Sequence, residues 1–455
     1  MFTRTHDCER RPERSSRLVD VAILSTLALG TVAFGAQRPF DRMDVFELEW
    51  VSDPQISPDG RQIVYVRNSM DIMSDRRAAR LWLINADGSD SVPLTGHDVA
   101  ESNPVWSPDG SRIAYTSDTD NGTEIHVHWI RENKSTRITQ LDRAPGRLSW
   151  SPDGSHIAFG KLVAEKPVVL VPPPDIPDGA QWSEPARVTT RLKYERDGDG
   201  YIEPGHLQYF VVPAEGGTPR QVTSGDFRHQ GPPQWMRDGA SLIFVGNRGA
   251  DWELDFLESE IYRVSLESGN IAALTERPGP DHGAVVSPDG KRIAYLGFTD
   301  EVQAYQVTGL YVMNADGSGR RQLAGDLDRS VAGLAWNASS DGVYFQYDDR
   351  GDTRIGFTRL SGARREITAS LGGTVIGRPY GGGSFSVAAN GRIAFTHVTP
   401  YRPAELAVID GRARGRAVTV LTSHNADLLE WRELGAVEEV WYKACLLYTS
   451  PSPRD

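Results

Sequence analysis

WSPDGSRIAY, residues 106–115, decides the fold because variants of it recur along the chain. In each variant an apolar or aromatic residue precedes the turn, two polar residues follow it, and a short apolar run comes next. Proline presets φ at the second turn position, aspartate can hydrogen-bond the backbone just ahead of it, and glycine takes a left-handed conformation. Because an apolar segment lies on each side, the stretch predicts a β-hairpin.

The turn recurs seven times at nearly regular intervals. Clear copies begin at Ser57, Ser107, Ser151 and Ser287, and degenerate copies contain Asp238-Gly239, Asp341-Gly342 and Asn390-Gly391. The Asp or Asn positions of successive copies are 50, 44, 85, 51, 52 and 49 residues apart. A repeat of this length that carries strands but no helical periodicity is typical of a propeller blade. We therefore expect an all-β fold, a seven-bladed β-propeller of four-stranded blades over residues 40–434.

The interval of 85 residues predicts an insertion within the third blade. The second strand of that blade is expected at 157–159 and the third at 207–212, so residues 161–206 would leave the sheet and return to it. A hidden degenerate blade in this stretch is the alternative. Loops this long in a compact domain are often functional.

Both ends of the chain differ from the repeats. Residues 1–36 carry five arginines, a short apolar run and then small residues, which predicts a signal peptide and a periplasmic or secreted protein. An uncleaved membrane anchor is the alternative, although the run is shorter than the roughly 18–20 residues that a span needs. Residues 445–455 resemble a translated sequencing-library adapter, with a natural tail as the alternative, and we keep them out of the fold.

The composition excludes several classes of function. There are 49 basic and 61 acidic side chains and no strongly basic stretch, which disfavours a nucleic-acid partner. The two cysteines, Cys8 and Cys445, lie in the terminal segments, so the repeats can hold neither a disulfide framework nor a thiolate metal site. A catalytic cysteine is excluded for the same reason. We expect no metal ion and no cofactor.

The chain resembles the N-terminal half of S9 serine peptidases of the acylaminoacyl-peptidase/dipeptidyl-aminopeptidase type. Its repeats are similar to TolB-like, or PD40, propellers. The more specific likeness lies in MDVFELEWVSDPQISPDG at 43–60, RLKYERDGDGY at 191–201 and VVPAEGG at 211–217. The resemblance covers residues 40–444. Within it, residues 437–443 are expected to form an exit strand, and residues 435–444 to start a linker to the next domain.

In that family an α/β-hydrolase domain with a Ser-Asp-His triad follows the propeller. The resemblance therefore implies hydrolysis of short peptides through an acyl-enzyme, with the propeller limiting access. This sequence departs from the pattern, because it has no Gly-x-Ser-x-Gly elbow. The nearest match, residues 382–386, ends in serine and lies beside a propeller repeat. The chain does not continue past Ala444 for the roughly 200–250 residues of a hydrolase domain, so we expect this portion to be inactive by itself.

The alternative function is that of a stand-alone, TolB-like periplasmic propeller that binds a protein partner. The Ser-Pro-Asp-Gly turn alone does not separate the two classes. Under the peptidase interpretation the partners are peptide substrates. No membrane span is expected once the signal peptide has been removed.

Four charged residues of the insertion are the candidate substrate-gating residues: Arg187, Arg191, Glu195 and Glu203. If the insertion faces a cavity between two domains, a carboxylate could bind the α-amino group of a peptide and an arginine its carboxylate. The alternative is a surface loop that packs on a neighbouring blade.

Three further sequence patterns are better explained by structural roles than by metal binding or catalysis. Residues 195–202 resemble the front of an EF-hand loop, but the twelfth position is His206 instead of a bidentate glutamate, which favours a solvated acidic turn. His126 and His128 share one face of a strand without a third ligand, which favours a polar strand face. The tryptophans before the turns, at 106, 150, 235 and 336, are expected to pack in the core.

Overall fold

The structure, a computed structural model, describes residues 37–441 except 97–98, 167, 173, 184–186, 199, 374–381 and 413–416. These residues form strands and turns, apart from a 3-10 helix at Arg42–Glu47 and the one-turn helix α1 (Ala426–Leu429). None of the described helices has the length and apolar character that crossing a membrane requires. The predicted signal peptide at 1–36 and the adapter-like residues 445–455 lie outside the described residues.

Five four-stranded antiparallel sheets follow one another along the chain, each with its strands in sequence order. After β1 (Arg38–Pro39), sheet 1 contains β2 (Trp50–Ile56), β3 (Gln62–Asp71), β4 (Arg76–Asn85) and β5 (Val92–Pro93). Sheet 2 contains β6 (Glu101–Trp106), β7 (Arg112–Thr119), β8 (Gly122–Trp129) and β9 (Lys134–Arg137). Sheet 3 contains β10 (Pro145–Trp150), β11 (His156–Ala164) and, beyond a hairpin of β12 (Glu195–Arg196) and β13 (Gly200–Tyr201), β14 (Gly205–Pro213) and β15 (Arg220–Gln221). Sheet 4 contains β16 (Arg228–Trp235), β17 (Ser241–Asn247), β18 (Glu260–Ser265) and β19 (Ile271–Ala273). Sheet 5 contains β20 (Asp281–Val286), β21 (Arg292–Gly297), β22 (Gly309–Asn314) and β23 (Arg321–Leu323).

The next eight strands form one continuous sheet, sheet 6. Its first four are β24 (Val331–Trp336), β25 (Gly342–Asp349), β26 (Asp352–Arg359) and β27 (Arg364–Leu371). Its last four are β28 (Phe385–Val387), β29 (Arg392–Thr399), β30 (Arg402–Asp410) and β31 (Thr419–Val420). The two sets are joined where Leu371 pairs with His397. No closed sheet occurs among the described residues, and the count of seven blades stays a prediction.

The first strand of each four-strand set packs against the first strand of the next set. Contacts run from β2 through β6, β10, β16, β20 and β24 to β28, and β28 in turn contacts β2. The apolar core is divided in the same way, because each hydrophobic cluster joins side chains of two neighbouring sets. Each set therefore buries its faces against its neighbours, as the repeat predicts for blades that cannot bury a core alone.

The tryptophans before the turns do more than fill this core. The indole N–H of Trp106, Trp150, Trp235 and Trp336 donates to a backbone carbonyl of the preceding first strand, at 2.8–3.0 Å. A net contribution of about 0.5–1.5 kcal/mol is usual for one such bond, while an orphaned buried carbonyl costs more. The tryptophans thus fix how neighbouring sheets are placed.

The Ser-Pro-Asp-Gly turn closes its hairpin with side-chain hydrogen bonds. Ser57 Oγ donates to Asp59 Oδ1 at 2.6 Å and accepts from the N–H of Gln62 at 3.0 Å, while Gly60 has φ +76°. The same serine-aspartate bond occurs in the copies that begin at Ser107, Ser151 and Ser287. The four clear copies therefore form the turn that the sequence predicts.

One degenerate copy is displaced from its predicted position. Ser340 takes the left-handed conformation, with φ +57°, and Asn337 Oδ1 accepts from the N–H groups of Asp341 and Gly342. Asp341 and Gly342 therefore follow the turn, and β25 begins at Gly342. The prediction that these two residues form the turn is wrong. The amide oxygen of Asn337 accepts the hydrogen bonds that the serine hydroxyl accepts in the clear copies. A search for the Ser-Pro-Asp-Gly motif therefore does not locate this turn.

The excursion from sheet 3 is shorter than residues 161–206. β11 pairs with β14 from His156 and Pro213 out to Ala164 and Gly205, so residues 165–204 leave the sheet. The difference arises because both strands extend the hairpin outwards. Among its described residues the excursion contains one strand pair, β12 with β13.

The predicted exit strand is wrong for its described residues, 437–441, which form no strand. Instead, β32 (Arg432–Glu433) pairs in parallel with β1. Asp44, which is buried, accepts hydrogen bonds from both Arg432 and Arg38. The bond from Arg432, joined by the one from Arg38, holds the pKa of Asp44 well below its usual range. This carboxylate ties the two ends of the described chain together.

The antiparallel order assigns every connection to one of two faces. Turns between the first and second and between the third and fourth strands lie on one face, which we call the turn face. Connections between the second and third strands and between successive sets lie on the other, the loop face. The excursion 165–204 belongs to the loop face, and so do the segments that lead into β2 and out of β31.

Gly60 tests the contact between sheet 1 and sheet 6. A Cβ at Gly60 would lie 2.3 Å from Asn390 Nδ2, whereas a Cβ at Gly110 would meet nothing closer than 3.5 Å. Both glycines have φ near +70°, at +76° and +70°. We expect Gly110→Ala to cost about 1–2 kcal/mol of unfolding free energy through left-handed strain. Gly60→Ala should cost about 0.5–1.5 kcal/mol more, because the Asn390 amide must move away and loses its hydrogen bond to the carbonyl of Asp59. Urea denaturation measures both, and equal losses would contradict the packing of the two sheets.

Candidate functional site

Three of the four candidate gating residues do not share a partner with the fourth. Arg187 stacks on the ring of Tyr201, with Cζ 4.2 Å from the ring centroid. Glu203 accepts from Arg143 Nη2 at 2.6 Å. Glu195 is exposed on β12. Two surface contacts and one exposed side chain are features of a surface loop, which was the alternative interpretation of the excursion.

Arg191, the fourth candidate, joins a compact cluster that holds the excursion to the propeller. Its Nη2 atom donates to Glu165 and, at 3.1 Å, to Asp226 Oδ1, and it lies 2.8 Å from His206 Nε2. His206 Nε2 is also 2.7 Å from Asp226 Oδ1. Desolvation lowers the pKa of Arg191, but the bond to Asp226 and the charges of Glu165 and Asp226 outweigh it and raise the pKa overall. Arg191 therefore remains charged and bridges two carboxylates.

Glu165, His206 and Asp226 have the donor types of a divalent-cation site. Among the residues that the structure describes, they are the group whose ligand atoms lie close enough to share an ion, all within 4.8 Å of one another. His206 Nδ1 is 3.1 Å from the carbonyl of Phe227, a contact that would orient Nε2 toward an ion. However, the guanidinium of Arg191 lies between these atoms and supplies the positive charge. The arrangement is that of an ion-pair clamp.

Two further contacts fasten the clamp to sheet 4. The Arg191 guanidinium lies 5.1 Å from the ring centroid of Trp252, and the N–H of Leu192 donates to Glu253 Oε1 at 2.7 Å. The clamp was not predicted from the sequence. His206 was considered only as the twelfth position of a calcium loop, and no spacing in the sequence relates it to Glu165 or Asp226.

The two metal-like sequence patterns do not assemble a site in the described residues. In the calcium-loop stretch, Asp199 lies outside the described residues and His206 belongs to the clamp. His128 Nδ1 is 2.9 Å from Ser135 Oγ, and burial lowers the pKa of His128. The ring of His126 lies 5.5 Å from that of Tyr115, and neither histidine joins the group that could hold a cation.

A second feature that the sequence analysis missed is a ring of β-bulges. In six first strands the register shifts next to a residue with positive φ. These residues are Asp53, Asn103, Arg147, Gly231, Gly283 and Gly333, with φ between +47° and +73°. All but Gly231 stand four positions before the first residue of the following turn. That fixed offset is the signal that could have revealed them.

The bulge residues lie on the first strands, which contact one another in a ring and enclose a space that we call the central channel. Asn103, Arg147, Gly283 and Gly333 are exposed, although each follows closely on a buried residue of the same strand. Asp53 is the fourth of the seven residues of β2, and Arg147 is the third of the six residues of β10, so the bulges lie near the middle of the first strands.

Three of the six bulge residues are polar and three are glycines. Asp53, Asn103 and Arg147 lie on the consecutive first strands β2, β6 and β10, whereas the next three first strands carry glycine. Asp53 Oδ1 accepts from Gln55 Nε2 at 2.6 Å. Burial raises the pKa of Asp53 in spite of that bond. Asn103 Nδ2 donates to Thr116 Oγ1 at 3.0 Å.

Arg147 differs from the other two polar residues. A left-handed conformation costs a non-glycine residue about 1–2 kcal/mol, and asparagine and aspartate offset it with short polar side chains that arginine lacks. Among the described residues, Arg147 forms no hydrogen bond or ion pair through its guanidinium. Strain of this kind persists where the surrounding structure imposes it and is frequent at functional sites.

The clamp generates a prediction for Arg191. Arg191→Met leaves Glu165 and Asp226 without their shared cation, so the excursion should open more easily, by about 1–3 kcal/mol. Lys166→Gln, which removes an exposed cation of the same excursion but leaves the clamp and the contact between Arg187 and Tyr201 intact, is the control. Chymotrypsin should cut at Tyr194 or Tyr201 severalfold faster in Arg191→Met than in Lys166→Gln. Identical cleavage rates would show that the clamp does not hold the excursion.

No family model matches the chain. Among curated proteins it is 24% identical over 346 residues to dipeptidyl-peptidase 5 of Porphyromonas gingivalis, a match that covers 70% of this chain and 48% of that protein. It is 26% identical to an uncharacterized peptidase of Bacillus subtilis over 45% of this chain and 30% of that protein. A third relative, the Tol-Pal system protein TolB of Anaeromyxobacter dehalogenans, is 32% identical but covers 31% of this chain and 29% of that protein. The chain thus spans half or less of the length of these relatives.

Two solved structures agree in fold over most of the chain. The acylaminoacyl peptidase of Pyrococcus horikoshii superposes with a TM-score of 0.66 at 18% identity, over 86% of this chain and 55% of that one. The β-propeller domain of the trilobed protease of Pyrococcus furiosus gives 0.55 at 16% identity, over 84% and 98%. The neighbours show a propeller-type fold, and together with the peptidase relatives they support an S9-family, propeller-type protein.

Proposed function

We propose that the chain is the substrate-gating propeller of a serine peptidase that hydrolyses short peptides through a Ser-Asp-His acyl-enzyme mechanism. The triad would belong to an α/β-hydrolase domain that packs on the loop face, and the seven four-strand sets would be seven blades. We further propose that the protein is exported to the periplasm or beyond, as the predicted signal peptide suggests.

The observation that carries the proposal is the distribution of exposed apolar side chains. Among the described residues, all exposed large hydrophobic residues except Val92 and Val420 lie in loop-face connections or in the terminal segments. Examples are Met73, Phe256 and Tyr305. A soluble protein rarely exposes apolar side chains in this concentration unless the surface binds a partner.

A groove on the same face lies where the chain enters and leaves the propeller. It has a volume of about 350 Å³ and is lined by Phe40, Trp50, Tyr401 and Leu434, among others. A domain that continues from the last propeller strand would lie next to this groove. The apolar lining suits the packing of such a domain.

The comparisons favour the peptidase over the TolB-like alternative. The dipeptidyl-peptidase 5 match extends over 70% of this chain, while the TolB match covers 31%. The repeats that both classes share account for a match confined to part of the chain. In a peptidase, the hydrolase domain of the same protein would cover the apolar loop face.

The proposal is tested by comparing two proteins made from the natural gene. The full reading frame should react with a fluorophosphonate probe and release product from short peptide substrates in a probe-sensitive manner. The 455-residue chain should do neither. Peptide hydrolysis by the 455-residue chain, or a full-length product that neither reacts with the probe nor cleaves peptides, would overturn the proposal.

The loop face provides a second prediction in the full-length protein. Phe256→Glu puts a charge into the proposed interface and should lower the melting temperature, by about 1 °C for each kcal/mol lost in a protein of about 700 residues. Val92→Glu, an exposed apolar position on an outer strand, is the matched control and should leave it nearly unchanged. Equal effects at the two positions would count against an interface on the loop face.

A further inference from the structure

We propose that Glu165, His206 and Asp226 form a binding site for a divalent cation of the zinc type, which takes the place of the Arg191 guanidinium. The inference goes beyond the proposed function and does not depend on it, since it concerns how the excursion is held to the propeller. It departs from the expectation, drawn from the sequence, that no metal ion binds. The ion would release the clamp that Arg191 forms.

One nitrogen atom of Arg191 stands where an ion would stand. Its Nη2 atom donates to Glu165, lies 2.8 Å from His206 Nε2 and lies 3.1 Å from Asp226 Oδ1. The three ligand atoms also lie within 4.8 Å of one another. The ligand atoms of a metal site converge on one point in the same way, and here a cationic nitrogen occupies that point.

The guanidinium cannot fully satisfy the three atoms around it. Nη2 carries two hydrogens, so three acceptors have to share them. His206 Nδ1 lies 3.1 Å from the carbonyl oxygen of Phe227, which places the ring hydrogen on Nδ1 and leaves Nε2 as an acceptor. Nε2 is also 2.7 Å from Asp226 Oδ1, and two acceptors at this distance repel each other unless a cation lies between them. A divalent ion would accept a lone pair from each of the three atoms.

The donor set suits zinc better than calcium or magnesium. One imidazole and two carboxylates are usual zinc ligands, and three protein ligands leave the fourth position of the tetrahedron to water. Calcium and magnesium prefer oxygen ligands alone. Ligand atoms about 2.0–2.1 Å from zinc stand roughly 3.3 Å apart in a tetrahedron, so the separation of Nε2 and Asp226 Oδ1 would widen by about 0.6 Å.

The site has an outer contact and an entrance. The Phe227 carbonyl holds the His206 ring in the tautomer that a metal ligand needs, as such outer contacts do in metal sites generally. His206 is 8% exposed, whereas the side chain of Asp226 is 65% exposed. An ion can therefore reach the buried nitrogen by way of the exposed carboxylate. The two carboxylates neutralise a divalent ion, whereas one guanidinium balances them only in part.

The ligands and the arginine belong to different parts of the chain. Glu165 is the first residue after β11, His206 lies on β14, and Asp226 lies between β15 and β16. All three thus stand at the root of the excursion or outside it, whereas Arg191 lies inside it. An ion that displaces Arg191 would join sheet 3 to its exit segment and would free the excursion.

The test is isothermal titration calorimetry of the 455-residue chain with zinc chloride, after alkylation of both cysteines so that their thiols cannot bind the ion. Asp226→Asn removes an exposed ligand and should weaken binding at least about tenfold. Arg191→Met removes the competing cation and should strengthen binding by about the same factor. Asp142→Asn, which removes an exposed carboxylate from another loop-face connection, is the matched control and should bind zinc as the wild type does.

Zinc should also change how fast the excursion is cleaved. Chymotrypsin should cut the wild-type chain at Tyr194 or Tyr201 severalfold faster with zinc than without it, because Arg191 is displaced. Arg191→Met should be cut at the same rate in both conditions, which controls for any effect of zinc on the protease.

The results that would overturn the inference concern the site and the exchange separately. No binding to the wild-type chain, or equal affinities of Asp226→Asn and Asp142→Asn, would overturn the site. Binding that Arg191→Met does not strengthen, or that leaves cleavage of the wild-type excursion unchanged, would overturn the displacement of the guanidinium. The peptidase test of the full reading frame measures neither quantity, so the proposed function can fail without this inference and the inference without it.

Discussion

The hydrogen bond from each turn tryptophan to the preceding first strand is the interaction on which the rest of the structure depends. An isolated four-stranded sheet with two apolar faces cannot bury them, so stability comes from stacking one sheet on the next. The indoles of Trp106, Trp150, Trp235 and Trp336 set the position of each first strand relative to its neighbour. That placement brings the bulge residues to one level around the channel.

The two faces of the molecule differ in structure, and we assign different roles to them. The turn face is built from short, self-contained hairpin turns in which serine and aspartate satisfy the backbone. The loop face carries the excursion, the apolar side chains, the groove and the two chain ends. The face that can vary without disturbing the hairpins is thus the one that we assign to a partner domain and to substrate.

The sequence predicted correctly those features that depend on residues adjacent in the chain. The turn of Ser57 to Gly60 follows from the conformational preferences of four adjacent residues, and the repeat length follows from its recurrence. At Asn337 to Ser340 different residues make the same hydrogen bonds. The sequence motif therefore predicted the left-handed residue at Gly342, two positions after Ser340, where it occurs. The clamp of Arg191 with Glu165, His206 and Asp226 joins residues far apart in the chain, which no local pattern reveals. The bulge at Arg147 could have been found from its fixed offset to the turn.

The most direct test of the central claim is to sequence the native locus past codon 444. The account predicts an open frame of some 250 further codons with a Gly-x-Ser-x-Gly elbow, followed by an aspartate and a histidine of the triad. A stop codon soon after Ala444 would contradict it, because a propeller without a hydrolase domain would have to find the partner for its loop face in another protein.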